Sequence, residues 1–425
     1  MVLDNLFRSL RSGFERVTDR RGSNQRYGIA DLLSTAFAMF SLKDASLLEF
    51  RNEYPQRAEN LKRIYGIEQA PGETALRQGL DGVSPEQIHE LLKVPIDTLQ
   101  THDVFADRRV LGNFTVVSVD GTGIFSSSQN SCPNCMVKNH RGGTRTYYHQ
   151  LLGAVWVHPD QPTVFPVSAE AIVKQDGSNK NDCELNAAKR LMPNVRKMLS
   201  NQQLLIVADA LYANGPYIRL LQSLDMSFII GIKEGFVLTE VKALKEHNGL
   251  SIHSWKNGKT QCTAHFASGI ILNGQNQDIQ VNFVEYCETD AASNETQFYS
   301  SWITDLRVSA NNAQQIVAAA RARWKIENEA FNTLKNQGYH LEHNYGHGKQ
   351  NLATNFALLT LLAFLCDQVA QHLDTGFQSA LNYCKSKRAL WSKVRQVFDL
   401  IPAASMNAIH RFIYKKIKIE FPLLE

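Results

Sequence analysis

Two short apolar runs in this 425-residue chain each end at an aspartate, and this repeated pattern constrains the fold more than any other feature. Residues 115–119 (Thr-Val-Val-Ser-Val) precede Asp120, and residues 204–208 (Leu-Leu-Ile-Val-Ala) precede Asp209. Both runs have the length and the β-branched content of buried strands. Because open α/β sheets gather functional side chains at the carboxyl ends of their strands, the pattern predicts a sheet that brings these two carboxylates to one edge.

A third carboxylate, Glu327, lies in a segment whose composition is helical. An apolar stripe at helical spacing runs through this segment, and Glu327 falls on it together with Ala320, Trp324, Phe331 and Leu334. An ionised glutamate on a buried face is unfavourable unless a partner neutralises it. Hard divalent cations prefer carboxylate oxygens, so the three acids together predict a metal site. For any one acid alone, a turn or a buried ion pair is a sufficient alternative explanation.

The composition is that of an ordinary folded protein and does not by itself select a partner. Hydrophobic residues make up 44% of the chain and charged residues 20%, and the length suits two or three domains. A formal net charge of +4 permits a nucleic-acid partner without indicating one. Seven scattered cysteines predict a reduced, cytosolic protein rather than a disulfide scaffold.

No membrane association is expected from the sequence. Residues 1–21 carry charges throughout and lack the apolar centre of a signal peptide. The longest apolar stretch, residues 352–370, is interrupted by polar side chains, which predicts a buried helix rather than a membrane span.

The order of the predicted elements divides the chain into four parts. Residues 1–110 are predicted to form an all-α N-terminal domain, and their scattered basic residues suit either a solvated bundle or a domain that binds DNA ends. Residues 111–232 and 300–372 are predicted to form an α/β core. Residues 233–299 have alternating patterns and Asn-Gly turns, which predict a β-rich insertion. Residues 373–425, with nine Lys and Arg against four Asp and Glu, are predicted to form a basic helical tail.

Within the core, three predicted strands precede an alternation of helices and strands. The predicted strands cover about 115–119, 148–157, 163–168, 204–208 and 227–232, and the predicted helices cover about 182–200 and 215–224. This order matches the ribonuclease H-like plan, with Asp120 on the first strand and Asp209 on the fourth. The predicted fold class is therefore α/β, with a ribonuclease H-like catalytic core that carries the insertion between the two flanking helical parts.

The acidic residues and their neighbours resemble bacterial insertion-sequence transposases of the DDE type, in the group with a β-strand insertion before the glutamate. The matching segments are Val-Asp-Gly-Thr at Asp120, Val-Ala-Asp-Ala at Asp209 and Arg-Trp-Lys-Ile-Glu ending at Glu327. The family signature Tyr-x2-Arg-x3-Glu-x6-Lys is met at Arg323 and Glu327, whereas its tyrosine is replaced by alanine and Lys335 comes one residue late. The resemblance covers roughly residues 111–372. Glu329 is a rival to Glu327, which we favour because the surrounding motif matches in place.

The resemblance implies that Asp120, Asp209 and Glu327 are catalytic and hold two Mg²⁺ ions, which Mn²⁺ can replace. Asp120 would bridge the two ions. Water would cleave at the element end, and the freed 3′-hydroxyl would then attack target DNA. Arg323 and Lys335 are expected to contact DNA phosphates, the alternative being surface salt bridges.

The implied partners are the double-stranded terminal inverted repeats of the element and the target DNA. A homodimer would act on this DNA in the bacterial cytoplasm, associated with the nucleoid when it is bound. Two other functions stay open: a ribonuclease H-like nuclease without strand transfer, and an inactive DNA-binding derivative.

Two further clusters of metal-ligating side chains occur in the sequence. Cys132, Cys135 and His140 have part of the pattern of a zinc knuckle, and His149 or Cys183 could supply the fourth ligand. The alternative is a plain turn with two free thiols.

The second cluster is a histidine-rich segment between glycines, which is expected to shape a loop or touch DNA rather than to bind metal; it contains His340, His343 and His347. Among the aromatic residues, Trp324 is expected in the core. Four others could stack on bases, but packing is expected for most of them: Tyr147, Tyr148, Tyr212 and Trp156.

Overall fold

A computed structural model describes residues 2–22, 25–177 and 180–415, without the side chains of residues 180–182. The chain divides into two compact units. The helical unit comprises Met1–His102, Gly123–Leu151 and Phe331–Glu425, and the sheet unit comprises Asp103–Thr122 and Leu152–Ala330. The last ten residues of the predicted basic tail lie outside the described residues.

The described helices are α1 (Val2–Glu15), α2 (Ile29–Leu42), α3 (Leu47–Tyr65), α4 (Glu73–Asp81), α5 (Pro85–Glu90), α6 (Lys93–Thr101), α7 (Val104–Asp107), α8 (Lys180–Met198), α9 (Gly215–Ser223), α10 (Phe236–Glu246), α11 (Ala313–Arg321), α12 (Asn332–Asn336), α13 (Leu352–Leu373), α14 (Thr375–Cys384), α15 (Lys387–Leu400) and α16 (Met406–Lys415). The described strands are β1 (Phe114–Ser127), β2 (Met136–Asn139), β3 (Arg145–Val157), β4 (Phe165–Ile172), β5 (Gln203–Ala208), β6 (Met226–Gly231), β7 (Ser251–Asn257), β8 (Thr260–Asn273), β9 (Asn276–Asp290) and β10 (Thr296–Thr304).

The core of the helical unit forms around α13, whose side chains are buried along most of its length. Helices α1, α2 and α14 pack against it. By length and hydropathy, α13 is the one helix in the described part of the chain that could cross a membrane, but 89% of its most apolar window is buried inside the protein. The expected buried helix over residues 352–370 is therefore present, and it packs with the N-terminal helices.

A buried ion pair is built into this helical core. The Nζ atom of Lys43, which caps the end of α2, donates to a carboxylate oxygen of Asp367 on α13 and to the carbonyl oxygen of Ser41 at 2.7 Å. The hydroxyl of Tyr339 donates to the same carboxylate at 2.7 Å, and the ring of Trp391 lies 4.0 Å from the ammonium group. Burial lowers the pKa of Lys43, and the neighbouring carboxylate opposes this shift.

The sheet unit has the strand order expected of a ribonuclease H-like core. Strand β4 pairs with β3, and the order then runs β3-β1-β5-β6. The pairs β1–β5 and β5–β6 are parallel, because α8 leads back from β4 to β5 and α9 from β5 to β6. Without the short β2, the core strands lie in the order third, second, first, fourth and fifth, which confirms the predicted fold class.

The segment predicted as a β-rich insertion extends the same sheet. Strand β10 pairs antiparallel with β6, and β9, β8 and β7 follow as an antiparallel meander. The prediction missed α10, which precedes these strands. Its apolar residues Val237, Val241 and Leu244 have helical spacing, but the stronger β pattern that follows outweighed this signal.

We predict that Asp367→Asn lowers the free energy of unfolding by about 3 kcal/mol, because it leaves the Lys43 ammonium group buried without its counter-charge. The measurement is urea denaturation of the full chain. The matched control is Glu68→Gln, which breaks an ion pair with Lys62 whose two side chains are 70% and 55% exposed. Adding Lys43→Met to Asp367→Asn should recover much of the loss. Equal effects of Asp367→Asn and Glu68→Gln would contradict the prediction.

Candidate active site

The pairing of β1 with β5 places the two predicted aspartates side by side. The parallel register runs from Phe114 opposite Gln203 to Ser118 opposite Val207. Two residues further along each strand come Asp120 and Asp209. In-register residues of neighbouring strands project from the same face, and the strands lie about 4.8 Å apart. The two carboxylates therefore occupy one face of the sheet at the point where β5 ends.

Local hydrogen bonds fix the orientation of both aspartates. Asp209 caps a 3₁₀ turn, and its Oδ1 accepts from the backbone N–H of Leu211 at 3.0 Å. The Oδ1 of Asp120 accepts from the backbone N–H of Gly121 at 2.8 Å. Asp120 was predicted at the end of a strand, which is wrong, since β1 continues to Ser127. Strand β5, which runs parallel to β1, ends at Ala208, so the site lies where β1 continues past the end of β5.

The third acid, Glu327, is joined to Asp120 through Arg323. The guanidinium Nη1 of Arg323 donates to Oδ2 of Asp120 at 3.1 Å, and its Nη2 donates to Oε1 of Glu327 at 3.0 Å. The carbonyl oxygen of Arg323 accepts from the Ser118 hydroxyl at 2.9 Å, which ties this segment to β1 two residues before Asp120. The predicted convergence of Glu327 on Asp120 is thus present in the structure.

The path of the chain through Glu327 differs from the prediction. Helix α11 ends at Arg321, a 3₁₀ turn covers Ala322–Trp324, and a π-helical turn covers Ile326–Phe331. The 3₁₀ turn is tighter and the π-helical turn is wider than a turn of α-helix. Side chains in this segment therefore do not point in the directions that a uniform 3.6-residue spacing predicts. π-helical turns occur often at functional sites, where they redirect a side chain.

The exposure of the side chains follows from this change of phase. The Glu327 side chain is 53% exposed, and Trp324, expected in the core, is 57% exposed. The other predicted members of the stripe, Ala320, Phe331 and Leu334, are buried, and so are Ala322, Ile326 and Ala330. Glu327 is therefore not core-facing, and it is available to a ligand that comes from solvent.

The surroundings of the site shift the pKa values of Asp120 and Glu327 in opposite directions. The pKa of Asp120 is raised to about 7, chiefly by burial and then by its hydrogen bond with Glu327, and Arg323 opposes both effects. Burial also acts to raise the pKa of Glu327, but the hydrogen bonds with Asp120 and Arg323 outweigh it, so this pKa is lowered. Two close carboxylates that share one guanidinium are an environment in which additional positive charge is favourable.

A fourth carboxylate, which the sequence analysis missed, lies next to this group. Glu184 on α8 is only 6% exposed, and a Cβ atom added to Gly121 would come 3.1 Å from its Oε1. Glu184 stands at the head of an apolar stripe with Ala188, Leu191 and Val195, all of which are buried. That position of an acid on an apolar stripe is the signal that could have identified it.

A buried hydroxyl without a partner adds to the polar character of the site. Tyr212 follows Asp209 in the 3₁₀ turn and is 1% exposed. Its hydroxyl has no hydrogen-bond partner among the described residues. Burial raises the pKa of Tyr212, as do, to a smaller extent, Tyr217 and the carboxylates of Glu184, Asp209 and Asp120.

The donor set fits hard divalent cations. Asp120, Asp209 and Glu327 supply carboxylate oxygens, which are the ligands that such ions prefer. The Arg323 guanidinium pairs with two of these acids, Asp120 and Glu327, so the site already stabilises a positive charge. The orphaned Tyr212 hydroxyl is a further polar atom that a water molecule held at the site could satisfy.

Four other predicted site residues lie in the helical unit: Lys335, Cys132, Cys135 and His140. The Lys335 ammonium pairs with Glu342 at 2.7 Å. Cys132 and Cys135 lie together, but His140 is outside their group, with its Nε2 2.8 Å from the Thr146 hydroxyl.

Two further candidates from the sequence, Cys183 and Trp156, lie in the sheet unit. The thiol of Cys183, in the sheet unit, lies 3.6 Å from the carbonyl oxygen of Gly177. Trp156 is fully buried and stacked on Phe105, with ring centroids 4.2 Å apart, so it is a packing residue.

We predict that Gly121→Ala weakens Mn²⁺ binding about tenfold, because the added methyl group presses on the Glu184 carboxylate and displaces the backbone beside Asp120. Isothermal titration or the Mn²⁺ paramagnetic signal measures the affinity. The matched control is Gly123→Ala, two residues along the same strand, where an added Cβ meets nothing within 4 Å. The prediction is wrong if the two variants bind Mn²⁺ equally well.

Comparison with known proteins agrees with this geometry. Residues 157–365, close to half of the chain, match the family model described as the transposase DDE domain. The matched range includes Asp209 and Glu327 and begins after Asp120. A comparison with curated proteins found no match. The chain therefore carries a region that matches the transposase DDE domain, which supports a DDE transposase.

Proposed function

We propose that this protein is a transposase that cleaves the ends of a DNA element and joins the resulting 3′-hydroxyl to target DNA. The observation that carries the proposal is the convergence of Asp120 and Glu327 on one guanidinium beside the strand end that bears Asp209. The family match supports a DDE transposase, and the acids supply the donor set that phosphodiester transfer requires.

Asp120, Asp209 and Glu327 would hold two Mg²⁺ ions, which Mn²⁺ can replace. When bound, these ions would activate the attacking oxygen and stabilise the leaving oxygen. The chain's own contribution is to hold the carboxylates in place. The Gly121 and Leu211 amides do so for the two aspartates, and the Ser118 hydroxyl fixes the backbone that leads to Glu327.

Arg323 is proposed to contact a DNA phosphate near the reacting strand. Its guanidinium is 26% exposed and lies directly beside the acids, so a phosphate brought to them also meets this cation. Arginine pairs with phosphate through two parallel hydrogen bonds, which orients the group as well as binding it. We propose a phosphate contact for Lys335 too, in competition with its ion pair to Glu342.

Two other functions have part of the same support. A nuclease of this fold would cut DNA without joining it, and an inactive derivative would only bind DNA. The presence of all three acids disfavours the inactive derivative, because binding alone requires none of them. The meander β7 to β10 between Asp209 and Glu327 favours a transposase by its resemblance to the insertion of that group.

The proposed partners are the double-stranded terminal inverted repeats and the target DNA, on which the protein would act as a homodimer. The site of action would be the bacterial cytoplasm, in association with the nucleoid. Inverted repeats that bound the reading frame would identify the DNA ends to use in assays.

We predict that Asp120→Asn abolishes cleavage and joining and leaves DNA affinity within about twofold, because the change removes charge and keeps the shape. The assay uses end-containing DNA and a plasmid target with Mg²⁺, and a gel shift measures binding. The matched control, Asp160→Asn, changes an exposed aspartate of the same unit and should retain activity. Strand transfer by Asp120→Asn at the wild-type rate would refute the assignment. Cleavage without joining by the wild-type chain, even from pre-cut ends, would favour the nuclease.

A mixing experiment tests the homodimer. If one active site serves each end, adding Asp120→Asn protein to the wild type should produce single-end joined products. These products should be most abundant at equal amounts of the two proteins. If paired ends are joined in proportion to the wild-type protein alone, without single-end products, then one subunit processes both ends and the two-site arrangement is wrong.

A further inference from the structure

A second cluster of ligating atoms lies in the helical unit. Two thiols and two imidazoles meet there, and one ligating atom from each lies within 4.8 Å of all the others: Cys132, Cys135, His149 and His347. We propose that these four side chains bind a structural Zn²⁺ ion, which is independent of the proposed catalytic ions.

The distances suit a tetrahedral site. The two Sγ atoms are 3.5 Å apart, and Nε2 of His149 lies 3.2 Å from Sγ of Cys132 and 3.3 Å from Sγ of Cys135. Nδ1 of His347 lies 3.6 Å from Sγ of Cys135. With Zn–S near 2.3 Å and Zn–N near 2.0 Å, a regular tetrahedron places its ligand atoms roughly 3.3–3.8 Å apart. The four distances given above lie within a few tenths of an ångström of this range, and every pair of ligand atoms lies within 4.8 Å, so the ion requires only a small contraction of the cluster.

The Cys-Pro-Asn-Cys turn already has the geometry of a metal-binding knuckle. The backbone N–H of Cys135 donates to the carbonyl oxygen of Cys132 at 3.1 Å, which closes the turn. The backbone N–H of Cys132 donates to Sγ of Cys135 at 3.3 Å, a contact that favours a thiolate. A plain turn with two free thiols does not account for two histidines that converge on it from other parts of the chain.

The loop that carries His347 is held rigidly. The carboxylate of Asp81 accepts backbone N–H bonds at 2.8–3.0 Å from four successive residues, Lys349, Gln350, Asn351 and Leu352. These bonds fix the start of α13.

Contacts on both sides of His347 complete its support. Nε of Arg77 donates to the carbonyl oxygen of Tyr345 at 2.9 Å, and Nδ2 of Asn134, inside the cysteine turn, donates to the carbonyl oxygen of Gln350 at 2.6 Å. The cysteine turn and the loop that carries His347 are thus joined to each other without a metal. A site whose ligands are held in advance loses little entropy on binding.

The hairpin of β2 and β3 gives the ion a structural task. Only Met136 of β2 is buried, Val137 is 41% exposed, and residues 137–145 are exposed throughout. β2 is thus a four-residue edge strand with one buried side chain, which adds little stability to the sheet by itself. A metal that ties the base of the hairpin to the start of α13 would stabilise it, since binding energy at such a site adds to folding energy.

The ligand chemistry selects zinc. Two thiolates and two neutral imidazoles in a tetrahedral arrangement are typical of structural Zn²⁺, whereas Mg²⁺ and Mn²⁺ prefer oxygen ligands. Among the described residues, this is the one cluster of histidine, cysteine and carboxylate groups whose ligand atoms meet this closely.

The test begins with metal analysis of the full chain purified without chelator. We expect one zinc per chain, and Co²⁺ in its place should give the visible spectrum of tetrahedral thiolate ligation. His149→Gln and His347→Gln should each lose the metal. His140→Gln is the matched control from the same hairpin and should keep it, as should Asp120→Asn. A wild-type chain without zinc or a cobalt spectrum would overturn the proposal, as would loss of metal from His140→Gln alone.

Limited trypsin digestion of the wild-type chain provides a readout that does not depend on variants that fold. Removing zinc with a chelator should speed cleavage after Arg141 and Arg145 at least tenfold, because the hairpin that carries them is then no longer held in place, and added zinc should reverse the change. Identical cleavage with and without zinc would contradict the structural role. So would a Cys132–Cys135 disulfide, detected as a mass loss in the protein purified under reducing conditions.

Discussion

The in-register parallel pairing of β1 with β5 is the constraint on which the candidate active site depends. It sets Asp120 beside Asp209 on one face of the sheet, with no long-range contact between their side chains required. A slip of one residue would turn one of the two acids to the opposite face. The apolar runs before the aspartates resist such a slip, because it would force fully buried side chains such as Val117 and Ile206 to repack. Core packing thus fixes the geometry of the acids.

The position of Glu327 depends on a different physical device, since it arrives from a helical segment far along the chain. Ser118 holds the backbone of Arg323, and Arg323 in turn pairs with both Asp120 and Glu327. The guanidinium neutralises acids that would otherwise repel each other. The same arrangement leaves Glu327 half-exposed at the end where DNA would approach.

The sequence predicted the elements that rest on local patterns, and it failed where two distant segments set each other's geometry. Runs of β-branched residues located β5, β6 and the start of β1 to within one residue, because burial on both faces of a parallel strand leaves a continuous apolar signal. The turn from 3₁₀ to π geometry around Glu327 left no such signal, so Trp324 was placed in the core although it is exposed. Glu184 was missed because a lone acid at the start of a helix is also an ordinary N-terminal residue.

The cysteine cluster illustrates the same limit on prediction. Proximity in sequence favoured His140 as a ligand, whereas the hairpin pairing turns that side chain toward Thr146 and brings His149 to the thiols. His347 could not be found by spacing, since it reaches the cluster only through the loop that Asp81 anchors. The two proposed metal sites therefore differ in kind. Oxygen ligands from a strand pair and a helical turn would gather charge for a reaction, and sulfur and nitrogen ligands from three segments would hold the backbone in place. This difference in ligand chemistry keeps each ion out of the other's site.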